Sequence, residues 1–208
     1  MDKRLELVKY AKLTARNHLV HCSSGNISVK DKSAMLIKAS GVYMEKARKS
    51  DFVPVDIKTL KYNRKSSAPS CEYRMHAACY KARQDIACVL HTHPFYSTLL
   101  LVCSITPKFI LPESILTAGS KLGLISYVCP GTEKLAKNIT AKIKKHNIIF
   151  LKNHGLLVVG ADLKQAYERT ILTEQMAKMQ VLAYLMGRKI SAISPAQAKK
   201  IIKDLAKK

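Results

Sequence analysis

No stretch of this 208-residue sequence is apolar for the roughly 18 residues that a membrane-crossing helix needs. The opening residues, Met1-Asp2-Lys3-Arg4-Leu5-Glu6, lack the apolar segment of a signal peptide. A cytoplasmic protein without membrane association is therefore expected. The six cysteines, at 22, 71, 79, 88, 103 and 129, form no Cys-x-x-Cys pair, so no spacing supports zinc held by thiolates. Cys79, Cys88 and Cys103 lie within apolar stretches and read as reduced core residues, not as a disulfide framework. Acidic residues are scarce: 14 Asp and Glu face 36 Lys and Arg, a formal net charge of +22. Such a field suits either a nucleic-acid or membrane surface, or a small anionic substrate. The lysines are spread along the whole chain, with neither zinc-finger spacing nor an aromatic-rich RNA-binding signature. This favours the small anion over nucleic acid. The basic tail, Lys199-Lys200 through Lys207-Lys208, is interrupted by apolar residues, as in a helix with one solvated face.

Internal repeats and low-complexity linkers are also missing, and the 48% apolar content is that of a globular domain. One domain over residues 1–208 is expected. Leu5, Val8, Ala11, Ala15 and Leu19 recur at helical spacing. Short strands are predicted at Ile27 to Val29, Met35 to Ala39 and Phe52 to Val55, with a loop over 61–70. Pro69-Ser70 introduces a helix to about Arg83 that carries Glu72 in its first turn. Ile86 to Leu90 reads as a buried strand, and a helix follows Pro94 as far as Cys103. Between 105 and 130 the pattern is indistinct, with a strand expected at Ile125 to Val128. Pro130-Gly131-Thr132 opens a helix through Lys145. Two strand-like runs, Ile148 to Leu151 and Leu156 to Val159, flank Asn153-His154-Gly155. A long helix spans Asp162 to Met186, and Ser194-Pro195-Ala196-Gln197 is a capping box for a last one. The alternation of strands and helices implies a layered α/β fold.

The histidines carry the chemistry. Residues i and i+2 of a strand share a face, so His91 and His93 in His91-Thr92-His93 can hold one metal between them, with His154 as third ligand. Three neutral imidazoles suit zinc and leave one coordination position open, as in a catalytic site. Taken singly, each histidine is more often a core or surface residue than a ligand. Pro94 adds weight, because it stops the strand and is expected to expose both rings at its end. His18, His21 and His146 read as surface residues. His76, one helical turn from Glu72, reads as packing against or orienting that carboxylate.

Six motifs occur in one order between about residues 5 and 185: Ser24-Gly25-Asn26-Ile27-Ser28, Ala39-Ser40-Gly41, Pro69-Ser70-Cys71-Glu72 with Met75-His76, His91-Thr92-His93-Pro94, Pro130-Gly131-Thr132-Glu133, and Asn153-His154-Gly155. Each is weak alone; together they resemble the class II aldolase/adducin-head family. The resemblance implies a three-layer α/β/α sandwich around a largely antiparallel sheet, and a homotetramer. It makes His91, His93 and His154 ligands of one Zn2+ per subunit, with another divalent metal left open. It makes Glu72 the catalytic acid/base, able to ligate the metal when substrate is absent. It places the substrate phosphate at Gly25, Asn26, Ser40, Gly41, Ser70 and Cys71, where glycine turns and a helix start offer N–H groups to an anion. The implied reaction is cleavage of a ketose 1-phosphate, of the fuculose 1-phosphate type, to dihydroxyacetone phosphate and an aldehyde.

Two departures stand out. Cys71 occupies the place of a second serine, and the segment 97–126 and the chain after Tyr184 hold no tyrosine, where the family's aldolases use tyrosines for the aldehyde. Other activities occur on the scaffold. A pentulose-phosphate 4-epimerase carries Asp at the Glu72 position, which argues against it. A methylthioribulose-1-phosphate dehydratase and a decarboxylase of a phosphorylated sugar acid remain open. A non-catalytic adducin-like module is expected to lose the ligands this chain keeps, and a basic nucleic-acid binder is expected to show steep salt dependence.

Overall fold

The computed structural model describes residues 2–205, so the final Lys207-Lys208 of the basic tail lie outside the described residues. Seven strands form one sheet: β1 (Asn26–Asp31), β2 (Ala34–Lys38), β3 (Phe52–Asp56), β4 (Cys88–Thr92), β5 (Gly123–Ile125), β6 (Ile148–Leu151) and β7 (Gly155–Gly160). Their spatial order is β3-β2-β1-β4-β7-β6-β5. Every neighbouring pair is antiparallel except β5–β6. The helices are α1 (Lys3–Arg16), α2 (Tyr73–Ala82), α3 (Phe95–Val102), α4 (Pro112–Ala118), α5 (Glu133–Ile143), α6 (Leu163–Leu185) and α7 (Pro195–Leu205).

Both faces of the sheet are covered, which explains why its strands read as apolar runs and not as alternating patterns. Successive residues feed two different cores. Ile27, Val29, Leu90, Phe150, Leu156 and Val158 pack with α1, α4 and α6 through Leu7, Ile115 and Leu163. Val53, Val89, Ile149, Leu157 and Val159 pack with α2 and α5 through Met75, Leu135 and Ile139. This is the three-layer α/β/α sandwich with a largely antiparallel sheet.

Local chemistry sets the ends of the elements. Asp2, Thr132 and Asp162 cap α1, α5 and α6 by accepting N–H groups of the first turn. The capping box of α7 is formed: Gln197 N–H donates to Ser194 Oγ at 3.2 Å, and Ser194 N–H donates to Gln197 Oε1 at 2.8 Å. Glu174 of α6 is a long-range cap. Its carboxylate accepts the Tyr96 and Ser97 N–H groups at 2.7 and 2.8 Å and so holds the start of α3. Burial raises its pKa, against the pull of those two bonds.

Three expectations need correction, and one undecided region is resolved. The strand expected at Ile125 to Val128 lies earlier, at Gly123–Ile125, because Gly123 closes tightly on β6; a Cβ there would stand 3.1 Å from Ile149 Cγ1. Helix α4 falls in the indistinct region, with Pro112 at its start and Gly119 at its end at φ 87°. Cys103 caps the C-terminus of α3 and is exposed, unlike buried Cys79 and Cys88. Glu72 stands just before α2, at its N-cap position, and not within the first turn.

Phe150 is 1% exposed and central to the α1/α6 side, so Phe150→Ala is expected to cost about 3–5 kcal/mol of stability. Leu5→Ala, at a position 51% exposed, is expected to change stability by no more than about 0.5 kcal/mol. Urea unfolding of the two variants tests the difference; equal midpoints would contradict this account of the core.

Candidate active site

Strand β4 sends Cys88 and Leu90 to the α1/α6 side, and by alternation sends Val89 and His91 to the α2 side. His91 lies opposite Asn26 of β1 and Leu157 of β7. It is completely buried, so the expectation that strand termination exposes both rings fails for it; His93, one residue past the strand, is only half-buried. The third histidine arrives from the β6–β7 turn. There Asn153 takes a left-handed conformation at φ 55°, and His154 N–H donates to Leu151 C=O at 3.1 Å. Gly155 lets this turn approach β4: a Cβ on it would stand 2.4 Å from Thr92 O and 2.6 Å from His93 Cδ2.

The three rings face one another, with centroids 4.7 to 5.1 Å apart. Each offers a ring nitrogen, all within 4.8 Å of one another. His91 Nε2 and His93 Nε2 stand 2.9 Å apart. The other nitrogen of His91, Nδ1, lies 2.9 Å from Leu156 C=O; donation to that carbonyl leaves the Nε2 lone pair free for a metal. Glu72 closes the fourth side. Its Oε2 is 3.1 Å from His91 Nε2 and its Oε1 is 3.4 Å from His154 Nε2. Oε1 is buried and has no hydrogen-bond partner among the described residues. Three imidazoles and a carboxylate oxygen awaiting a partner fit a divalent metal.

Electrostatics agree with a ligand set held ready. Burial, reinforced by neighbouring histidines, lowers His93 to about 3 and His154 to about 4, so both rings are neutral near pH 7. Burial pushes Glu72 upward, but His91, His154 and the Asn26 amide outweigh it and hold the carboxyl below its usual range.

Of the candidate phosphate residues, the structure joins Ser40-Gly41 to Ser70-Cys71 through a bridge between Ala39 and Pro69. Two amides expected to face an anion are already engaged: Ser40 N–H donates to Ala68 C=O and Ser70 N–H to Lys38 C=O, each at 2.9 Å. Gly41, at φ 75°, has open space where a side chain would be. Gly25, at φ 67°, has none; a Cβ would stand 2.4 Å from Val20 Cγ1 and 2.8 Å from His91 O. The Asn26 side chain donates to Glu72 Oε2 at 3.0 Å and lies 2.5 Å from His76 Nε2 through Oδ1, so both its polar atoms are occupied. The Pro130-Gly131-Thr132 motif braces the same region, Gly131 lying against the Cys71 backbone.

Sequence reasoning missed Lys38. It is 2% exposed, and its ammonium donates to Ser23 C=O at 3.0 Å and Val42 C=O at 2.6 Å, tying together the two glycine turns. Burial lowers its pKa to about 8. The available signal was a lysine inside an apolar strand, immediately before Ala39-Ser40-Gly41.

A model of the class II aldolase and adducin N-terminal domain matches residues 5–181. This chain belongs to that family. An L-fuculose phosphate aldolase of Methanocaldococcus jannaschii is 32% identical over 188 residues, covering 90% of this chain and 100% of that protein. One of Methanococcus maripaludis is 30% identical over 88% of this chain and 96% of its own length. Among solved structures, an L-fuculose 1-phosphate aldolase superposes with a TM-score of 0.88 at 28% identity, covering 98% of this chain and 95% of its own. Family and relatives are those of a metal-dependent lyase, and the His91, His93 and His154 group could hold such a metal.

The depressed histidines set a pH dependence. In the metal-free protein, a group whose folded pKa lies below the ordinary 6.5 binds its proton more readily when unfolded. Stability is therefore fully present above pH 6.5 and is expected to fall as pH drops through about 4 toward about 3. Denaturant titrations of metal-free protein across that interval test this; a constant stability would contradict neutral buried imidazoles.

Proposed function

We propose that this chain is a zinc-dependent class II aldolase, a single domain over residues 1–208, that cleaves a ketose 1-phosphate of the fuculose 1-phosphate type. The products are dihydroxyacetone phosphate and an aldehyde. The observation that carries this reading is the convergence of His91, His93 and His154 with the Glu72 carboxylate. Zinc, when bound by the three histidines, supplies Lewis-acid stabilisation of negative charge on substrate oxygens.

The chain's own residues supply the rest. Cleavage of the C3–C4 bond requires a proton to leave the C4 hydroxyl and a proton to reach C3. Glu72, held over the histidines with no partner on Oε1 among the described residues, is assigned both transfers: as the ionised carboxylate it takes the C4 hydroxyl proton and then delivers that proton to C3. The phosphate is assigned to the turns at Gly25, Asn26, Ser40, Gly41, Ser70 and Cys71. With the Asn26 side chain and the Ser40 and Ser70 amides engaged, grip falls to Gly41, the remaining backbone N–H groups and the serine hydroxyls. The buried Lys38 ammonium adds positive charge behind the glycine turns.

A homotetramer in the cytoplasm completes the proposal. Phe95, Met179, Leu182, Leu185 and Met186 are exposed apolar residues that further subunits would cover, and all six cysteines are unpaired. No helix among the described residues is long and apolar enough to cross a membrane. The lack of tyrosine in 97–126 keeps one second reading, a methylthioribulose-1-phosphate dehydratase, because that reaction has no aldehyde fragment to handle.

Release of dihydroxyacetone phosphate from a panel of ketose 1-phosphates is the direct test. Zinc-loaded wild type is expected to release it, and Glu72→Gln to lose at least about a hundredfold in rate. Chelation is expected to abolish release and zinc to restore it. Water loss from methylthioribulose 1-phosphate without release of dihydroxyacetone phosphate from any substrate would overturn the aldolase reading in favour of the dehydratase.

A further inference from the structure

Helix α2 and strand β1 face each other across a line of polar side chains inside the α2/α5 core. Glu72, His76 and Tyr80 are spaced four residues apart and share one face of the helical segment. Asn26 and Ser28 are spaced two apart and share one face of β1. His76 and Ser28 are 0% exposed, Tyr80 1% and Asn26 3%. The contacts alternate between helix and strand. Tyr80 OH lies 2.8 Å from Ser28 Oγ, Ser28 Oγ 2.7 Å from His76 Nδ1, His76 Nε2 2.5 Å from Asn26 Oδ1, and Asn26 Nδ2 3.0 Å from Glu72 Oε2.

We propose that His76 is a positioning residue for Glu72, acting through Asn26, and that Ser28 and Tyr80 lock the His76 tautomer in which Nε2 carries the proton. The proposal rests on the reading of Glu72 as the proton carrier.

The direction of every bond follows from one end. An ionised carboxylate only accepts, so the Asn26 amide must present its NH2 to Glu72. Asn26 Oδ1 then faces His76, and Nε2 must donate. A neutral imidazole has one N–H, so Nδ1 is the acceptor, Ser28 donates to it, and Tyr80 donates to Ser28. Burial keeps His76 neutral, lowering it to about 3, and keeps the Tyr80 phenol protonated, with a pKa well above its ordinary value. Reversing the imidazole would set two lone pairs against each other at 2.5 Å, or would flip Asn26 and turn its oxygen on Glu72. One proton arrangement therefore satisfies all four contacts, and a buried polar line fixed in this way is rigid.

The consequence falls on Glu72. Its Oε2 is held by Asn26, while Oε1, turned toward His154, has no hydrogen-bond partner among the described residues and is left for the proton. The same commitment removes the Asn26 side chain from the phosphate pocket in this arrangement. A phosphate ligand and a positioning residue differ in kinetics: losing the first raises KM, losing the second lowers kcat.

The test is made on the full-length protein, using Ser28→Ala, Tyr80→Phe, His76→Gln and His76→Phe. Long-range nitrogen–proton NMR correlations of 15N-histidine-labelled protein read the tautomer. Wild type is expected to show His76 with Nε2 protonated and Nδ1 bare, and Ser28→Ala a mixture of tautomers with an unchanged circular dichroism spectrum. Ser28→Ala is expected to lose about 10- to 100-fold in kcat, and about tenfold in the zinc affinity of the substrate-free protein. KM for the ketose 1-phosphate is expected to move less than about threefold. His76→Gln keeps a donor and an acceptor and is expected to retain more activity than His76→Phe. If His76→Phe does not fold, Ser28→Ala and Tyr80→Phe carry the test.

A wild-type His76 protonated at Nδ1 would overturn the proposal. So would a Ser28→Ala protein with mixed tautomers but undiminished kcat and zinc affinity. A raised KM at constant kcat would return Asn26 to the phosphate and overturn it as well. If wild type cleaves no ketose 1-phosphate, the aldolase reading fails by itself. The tautomer and the zinc affinity then still decide whether His76 positions Glu72.

Discussion

The antiparallel pairing of β4 between β1 and β7 is the constraint on which the site depends. It sets Asn26 opposite His91, and His91 opposite Leu157. A slip of one residue would turn His91 into the α1/α6 layer, away from Glu72. Two glycines permit the close pairing: Gly25, whose missing Cβ makes room for His91 O, and Gly155, whose missing Cβ makes room for Thr92 O. The histidine cluster that could hold a metal is therefore a product of strand register first and of side-chain choice second. Helix α2 then needs only to begin where it does for its N-cap residue, Glu72, to meet them.

Much of this was legible in the sequence, for identifiable reasons. The i, i+2 rule placed His91 and His93 together, and the Asn153-His154-Gly155 turn was marked by the residue types that tolerate its backbone. The long helix, its neighbours and the α7 capping box followed from period and caps. Other features were hidden. Both faces of the sheet are buried, so β5 and the approach to α4 gave no alternation to read. Cys103 sat in an apolar run yet ends at a helix C-terminus in solvent, because a run of apolar residues does not say which turn of a helix is covered. Lys38 and Glu174 act over long sequence distances, on Ser23 and on the start of α3, and pairings of that kind leave no local spacing behind.

The charge distribution has two regimes. Most of the +22 is carried by lysines distributed along the chain, where pairs such as Lys3–Asp31 and Lys49–Asp2 contribute little. Inside, several ionisable groups have defined partners. Lys38 is satisfied by carbonyls, Glu174 by amides and His76 by two neutral partners, while Glu72 holds an amide through Oε2 and keeps Oε1 without a partner among the described residues. A surface excess of this kind attracts anions in general, whereas the buried groups are fixed by their immediate neighbours.

The two-sided use of the sheet has a further bearing on how such a chain can change. Residues of one strand that alternate in direction belong to separate cores: Leu90 to one and His91 to the other. The catalytic candidates and their polar support lie on the α2 side, while α1, α4, α6 and α7 cover the opposite side. A lineage can therefore accumulate repacking on the α1/α6 layer, or an engineer can select there for heat tolerance, while the α2 layer stays under its own selection for chemistry. The sheet acts as a partition between tolerance and activity.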